Sequence, residues 1–137
     1  MINDFRGRYR FLSNFSHANV TFDGIQYPTV EHAYQAAKSD DPVYRMRVWN
    51  CLTPGEAKRV GKSAKLRKDW GTVRLSIMYD LVKQKFQQPA MRNQLLSTVD
   101  EELVEGNYWG DYFWGVCKGE GENHLGKILM RVREEIK

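Results

Sequence analysis

The chain has 137 residues, 42% of them hydrophobic, with a formal net charge of +4. That size and composition fit one domain over residues 1–137 with a core of its own, and exclude a disordered tail or a small disulfide-stapled scaffold. No apolar run reaches the roughly 18 residues of a membrane span, the first residues lack a signal-peptide core, and two cysteines make no disulfide framework, so a reduced, cytoplasmic setting without a membrane partner is expected.

Arg6 and Arg8 come first, as cations suited to phosphate. In Phe11-Leu-Ser-Asn-Phe-Ser16, Ser13 and Asn14 either hydrogen-bond a ligand or close a side-chain turn. Residues 19–22 and 25–27 flank Asp23-Gly24, whose tolerance of positive φ predicts a tight hairpin. Thr29 then caps a helix over residues 30–38 that carries Glu31 in its first turn, where the helix dipole favours a negative charge. Phe11, Phe15, Tyr27 and Tyr34 surround it in sequence. A fixed carboxylate among aromatics suits a site that holds a flat base and stabilises positive charge on a sugar; the plainer reading is a residue that only complements the dipole.

Asp41-Pro42 starts a second helix to about residue 52, and Thr53-Pro-Gly-Glu56 reads as a capping box for a third that ends near Gly61. Residues 56–74 hold seven basic side chains, Lys62 among them, against Glu56 and Asp69; the window carries +5 and the remainder −1. Such a patch fits a phosphate, a nucleotide or a nucleic-acid backbone, or is a solvated helix face. Trp70 follows, as a stacking ring or a core residue. A longer helix begins at Asp69 or Thr72 and runs to about residue 88 on a stripe of Val73, Ile77, Leu81 and Phe86. A short helix after Pro89 and a short strand over 102–105 come next.

Residues 106–121 are rich in glycine and aromatics with no helical period, and long loops of this kind are often functional. Trp109 and Trp114 offer stacking surfaces, Asp111 a second carboxylate, and glycines such as Gly115 allow close approach of backbone to ligand. Asn123 precedes the last helix, where free amides meet phosphate or sugar oxygens. That helix is amphipathic: Leu125, Ile128, Leu129, Val132 and Ile136 form one face, and Lys127, Arg131, Arg133, Glu134 and Glu135 the other. No P-loop, Rossmann fingerprint or metal-ligand spacing is present, so no cofactor and no metal is expected. The architecture is α+β, mainly helical, with a small hairpin.

Taken together, these motifs resemble the NADAR (YbiA-like) family. The resemblance rests on Phe11-Leu-Ser-Asn-Phe-Ser16, on Asp23-Gly24 with Tyr27-Pro-Thr-Val-Glu-His-Ala-Tyr-Gln-Ala-Ala-Lys38, on Ala57, Gly61-Lys62 and Trp70, and on Asn107, Trp114-Gly115, Gly119, Gly121, Asn123 and Leu125-Gly-Lys-Ile-Leu-Met130 with Arg133. It implies a compact fold and N-glycosidase activity on a phosphorylated ribosyl or ADP-ribosyl substrate. That substrate is either a ribosylaminopyrimidine phosphate of riboflavin synthesis or ADP-ribosylated guanine in nucleic acid. By position Glu31 matches the family's catalytic glutamate and Trp70 a pocket tryptophan. An aspartate follows the family's loop Trp-Gly pair; here Asp111 follows Trp109-Gly110, whereas Val116 follows Trp114-Gly115. On this reading Glu31 stabilises an oxocarbenium-like sugar, Asp111 holds the ribose or assists proton transfer, Trp70 and Trp114 sandwich the base, and the basic window with Arg6 binds phosphate. The alternatives are a non-catalytic ADP-ribose-binding module and a small nucleic-acid-binding protein.

Overall fold

Asp23 and Gly24 take positive φ, 51° and 80°, and turn β1 (Val20–Phe22) back on β2 (Ile25–Tyr27) in antiparallel register, Val20 opposite Tyr27. The hairpin belongs to one of two units. In the computed structural model, which describes residues 1–137 throughout, these units are Asn14–Lys85, and Met1–Ser13 with Phe86–Lys137.

In the first unit three helices follow the hairpin, α1 (Val30–Ala37), α2 (Pro42–Trp49) and α3 (Pro54–Gly61), each started by the cap its sequence predicts. Thr29 Oγ accepts from the His32 amide, Asp41 from Val43 and Thr53 from Glu56, each satisfying an orphan N–H of the first turn. The capping box of α3 is displaced: the Glu56 carboxylate accepts from the Leu52 amide at 3.0 Å, one residue before the expected position. Helix α2 ends three residues earlier than expected, because Thr53 must be extended ahead of Pro54 (φ −131°, ψ 153°). All eight residues of α1 are buried, so α1 is the centre of this unit; its alanines let α2 and α3 pack closely.

Helix α4 spans Trp70–Gln87. Its buried ridge is Met78, Leu81, Val82, Lys85 and Phe86, a regular i, i+3, i+4, i+7, i+8 pattern, while Val73 and Ile77 are only half-buried. The expected stripe is therefore rotated. A hydropathy count passes over Lys85, which continues the ridge.

In the second unit a short 3-10 helix (Gly7–Leu12) packs with α5 (Pro89–Leu96). The expected strand at 102–105 is reduced to a bridge, in which the Ile2 amide donates to Glu102 O and the Val104 amide to Ile2 O, both at 2.8 Å. Two-residue strands β3 (Gly106–Asn107) and β4 (Val116–Cys117) pair in parallel. Helix α6 (His124–Glu135) buries the expected apolar face. It departs from expectation at Arg133, which is buried and donates from Nη1 to Thr98 Oγ1 at 2.9 Å. Arg133 stands one turn beyond Leu129 and so falls on the apolar face despite its charge.

Candidate active site

The N-terminus of α1 gathers the groups of interest in the Asn14–Lys85 unit. The Glu31 amide, an orphan donor of the first helical turn, donates to the Asn14 carbonyl at 3.2 Å. Its side chain is 8% exposed, and Gln35, one turn on, donates from Nε2 to Glu31 Oε2 at 3.5 Å. Spacing of i, i+4, i+7 places Glu31, Gln35 and Lys38 along one face of the helix, with Tyr34 beside them. Lys38 holds Nζ 5.8 Å from the centre of the Tyr34 ring. Burial lowers the Lys38 pKa below the usual lysine range; the Glu31 charge opposes that shift, and Lys58 of α3 adds to it. A carboxylate and two ammonium groups therefore share one electrostatic environment.

Trp70 is buried, its ring tilted 51° to that of Tyr34 with centroids 5.1 Å apart. It forms a wall beside this face rather than an open stacking platform. Asn14 turns its side chain to Met78 Sδ (3.5 Å), and Phe15 is half-buried beside it in the chain. Ser16 accepts from Lys85 Nζ at 2.7 Å. Lys85 is 1% exposed, a buried cation that the sequence reading missed. The signal was available: a lysine on the apolar ridge of a helix is a buried lysine in need of a partner.

Beneath this face a polar chain fixes α1. Cys51 O only accepts, so His32 Nε2 donates to it (3.0 Å). In the neutral ring Nδ1 then accepts from the Thr29 hydroxyl (2.8 Å), whose oxygen accepts from the His32 amide. His32 is thus a strut.

The basic window divides in two. Lys58 and Lys62 lie on α3 and at its C-terminal cap. Lys65, Arg67 and Lys68 line an open cavity of about 480 Å³ together with Asp40, Asp41 and Asp69, so three cations there face three carboxylates. The Arg67 guanidinium bonds Asp69 at 2.6 Å.

In the other unit the glycine-aromatic loop is organised by its polar side chains. Asp111 Oδ1 accepts from the amides of Phe113 (3.2 Å) and Trp114 (2.9 Å), and Asn107 both donates to Asp111 O and accepts from its amide. Asn123, at φ 54°, bridges the main chain: its oxygen accepts from the Glu105 amide and its nitrogen donates to Leu103 O, both at 3.0 Å. Its amide therefore holds the loop base. Gly115 is required for space, since a Cβ there would lie 2.1 Å from the Glu105 carbonyl oxygen. Trp114 is half-buried against Phe113 and His124, whereas Trp109 is 52% exposed. Arg6 is exposed and forks onto Asp4, which offsets its charge.

Comparison with known proteins adds to this geometry. The NADAR domain family matches residues 3–137. The N-glycosidase Npun_R5314 of Nostoc punctiforme is 43% identical over 94% of this chain and 86% of its own. The N-glycosidase YbiA of Escherichia coli is 38% identical over 93% and 82%. A riboflavin biosynthesis protein of Vibrio vulnificus, VVA0006, is 39% identical over 92% of this chain, which spans 35% of that longer protein. The NMR structure of E. coli YbiA superimposes with a TM-score of 0.86 at 36% identity, covering 99% of this chain and 84% of the other. The mainly helical α+β fold with its small hairpin is thus the YbiA fold, and the chain belongs to the NADAR domain family.

Proposed function

We propose that this chain is an N-glycoside hydrolase that works without a metal. The observation that carries the reading is Glu31: a carboxylate buried at a helix N-terminus, held by a neighbouring amide and electrostatically coupled to Lys38. N-glycosidase relatives align over nearly the whole chain. In the reaction the bond between ribose C1 and the base nitrogen breaks, and the nitrogen keeps the electron pair and takes a proton from solvent, which Glu31 replaces when it gives up the proton it has removed from the attacking water. A water oxygen then bonds to C1. Glu31 stabilises the positive charge that develops on the sugar and receives the proton from water.

The substrate is a phosphorylated N-riboside. A relative named as a riboflavin biosynthesis protein makes an intermediate of that synthesis, a ribosylaminopyrimidine phosphate, the first candidate; ADP-ribosylated guanine in nucleic acid is the second. Lys58 and Lys62, on α3 and at its C-terminal cap, are the phosphate ligands in this reading, because Lys58 shares the electrostatic environment of Lys38 beside Glu31. Trp70 shapes the wall beside Glu31, and in the other unit Asp111 acts by shaping its own loop. The test is incubation of the protein with each substrate and chromatography of the products. The expected result is equal amounts of free base and sugar phosphate from the aminopyrimidine, or of ADP-ribose and unmodified nucleic acid from the modified guanine. Tight binding of ADP-ribose with neither product formed contradicts the enzyme and favours the binding module.

A further inference from the structure

We propose that Gln35 and Gly61 form a bracket that orients the Glu31 carboxylate, which makes Gln35 a positioning residue. The inference rests on the reading of Glu31 as the catalytic carboxylate. Gln35 lies one helical turn below Glu31 and donates to its Oε2. Its own backbone is pinned, because the Tyr44 hydroxyl donates to Gln35 O at 2.8 Å. The other end of the side chain is the informative one. Gln35 Oε1 is fully buried and has no hydrogen-bond partner. It lies against the Cα of Gly61, where an added Cβ would sit 1.8 Å from Oε1 and 2.6 Å from Cδ.

Two local penalties therefore meet at one side chain. A buried amide with an unmet acceptor is less favourable than an apolar side chain of the same length. Gly61 is the last residue of α3, where alanine is still the better helix former, and it has no positive φ that would require glycine. Gly61 is there for space, and the space is occupied by the Gln35 amide. What the pair achieves is a fixed donor on Glu31. With Oε1 seated against α3, the Nε2–H bonds cannot rotate away, and the carboxylate is held in one orientation before substrate arrives.

The experiment compares Gln35→Met, Gly61→Ala, Glu31→Gln and the double variant Gln35→Met/Glu31→Gln of the full chain. Thermal midpoint, kcat and KM are measured on the N-glycoside that the wild type turns over, a ribosylaminopyrimidine phosphate first. Gln35→Met is expected to keep or raise the midpoint, leave KM within about twofold and lower kcat by about tenfold to a hundredfold. Added to Glu31→Gln, it is expected to change nothing further. Gly61→Ala, by displacing the amide, should lower kcat in the same way. If Gly61→Ala does not fold, the other three proteins decide alone. A Gln35→Met protein with wild-type kcat beside an inactive Glu31→Gln overturns the bracket and leaves the role of Glu31 standing. A loss of kcat that comes with a lowered midpoint means a packing role and also overturns it. An active Glu31→Gln overturns both.

Discussion

At Asp111 one carboxylate oxygen accepts from two nearby main-chain amides, a geometry that an asparagine oxygen reproduces. If shaping the loop is its contribution, Asp111→Asn keeps most of the activity and Asp111→Ala loses it together with loop order. Steady-state kinetics on the two variants check this, and equal loss in both would assign the carboxylate a part in the chemistry. Asn123 is a parallel case. Sequence position suggested a ligand contact near a helix start, but its left-handed backbone and two main-chain bonds make it a clamp on residues 103–105. At Thr29 the cap and the histidine strut share one hydroxyl. Thr29→Val removes both bonds, so it should cost about 2 kcal/mol in urea unfolding, towards the upper end for a helix cap. The unmet acceptor on Gln35 has the opposite sign: it costs the fold about 1–3 kcal/mol, and a stabilised Gln35→Met protein would show that cost directly.

Among the elements, the join between α1 and α2 carries a pH signature. Tyr44 of α2 is buried and bonds the last turn of α1, and burial pushes its pKa up to about 12. An unfolded tyrosine titrates near 10. Between about 10 and about 12 the unfolded chain therefore releases a proton that the folded chain keeps, and the stability contributed by Tyr44 is intact below that window and lost across it. Tyr44→Phe should be less stable than wild type at about pH 8, by about 1 kcal/mol for the missing hydrogen bond. The gap should close as pH rises past about 11. Urea midpoints at the two pH values test it, and a constant gap would contradict the assignment. Elements were legible in the sequence where local chemistry sets them. Asp23-Gly24, Thr29, Asp41-Pro42 and Thr53-Pro54 each mark a boundary through backbone preferences that do not depend on the rest of the fold. The buried face of α4 and the burial of Arg133 were not, because tertiary partners, Ser16 and Thr98, make a long cationic side chain acceptable in a core.

Over the whole molecule the charge of +4 is concentrated in residues 56–74, yet the structure separates that window into a balanced cavity and the Lys58–Lys62 edge of α3. Charge reversal at Lys62 with Lys58 should therefore raise KM for a phosphorylated substrate at least about tenfold and have little effect on its dephosphorylated form; the same change at Lys65 and Lys68 should have little effect on either. Equal KM changes from the two pairs would mean a diffuse field instead of a subsite. The candidate site was partly legible. Glu31 stood out through its place in a capped helix and through the family resemblance, whereas Gln35, Gly61 and Lys85 act through contacts between helices that spacing alone does not reveal. The catalytic role of Glu31 is tested most directly by single-turnover release of free base by wild type and by Glu31→Gln at matched thermal midpoints. Wild type is expected to release it and the variant to lose at least about a hundredfold, since a neutral amide cannot stabilise the sugar cation or accept the proton from water. Release by Glu31→Gln at the wild-type rate would contradict that role and leave Glu31 as a helix-terminus residue.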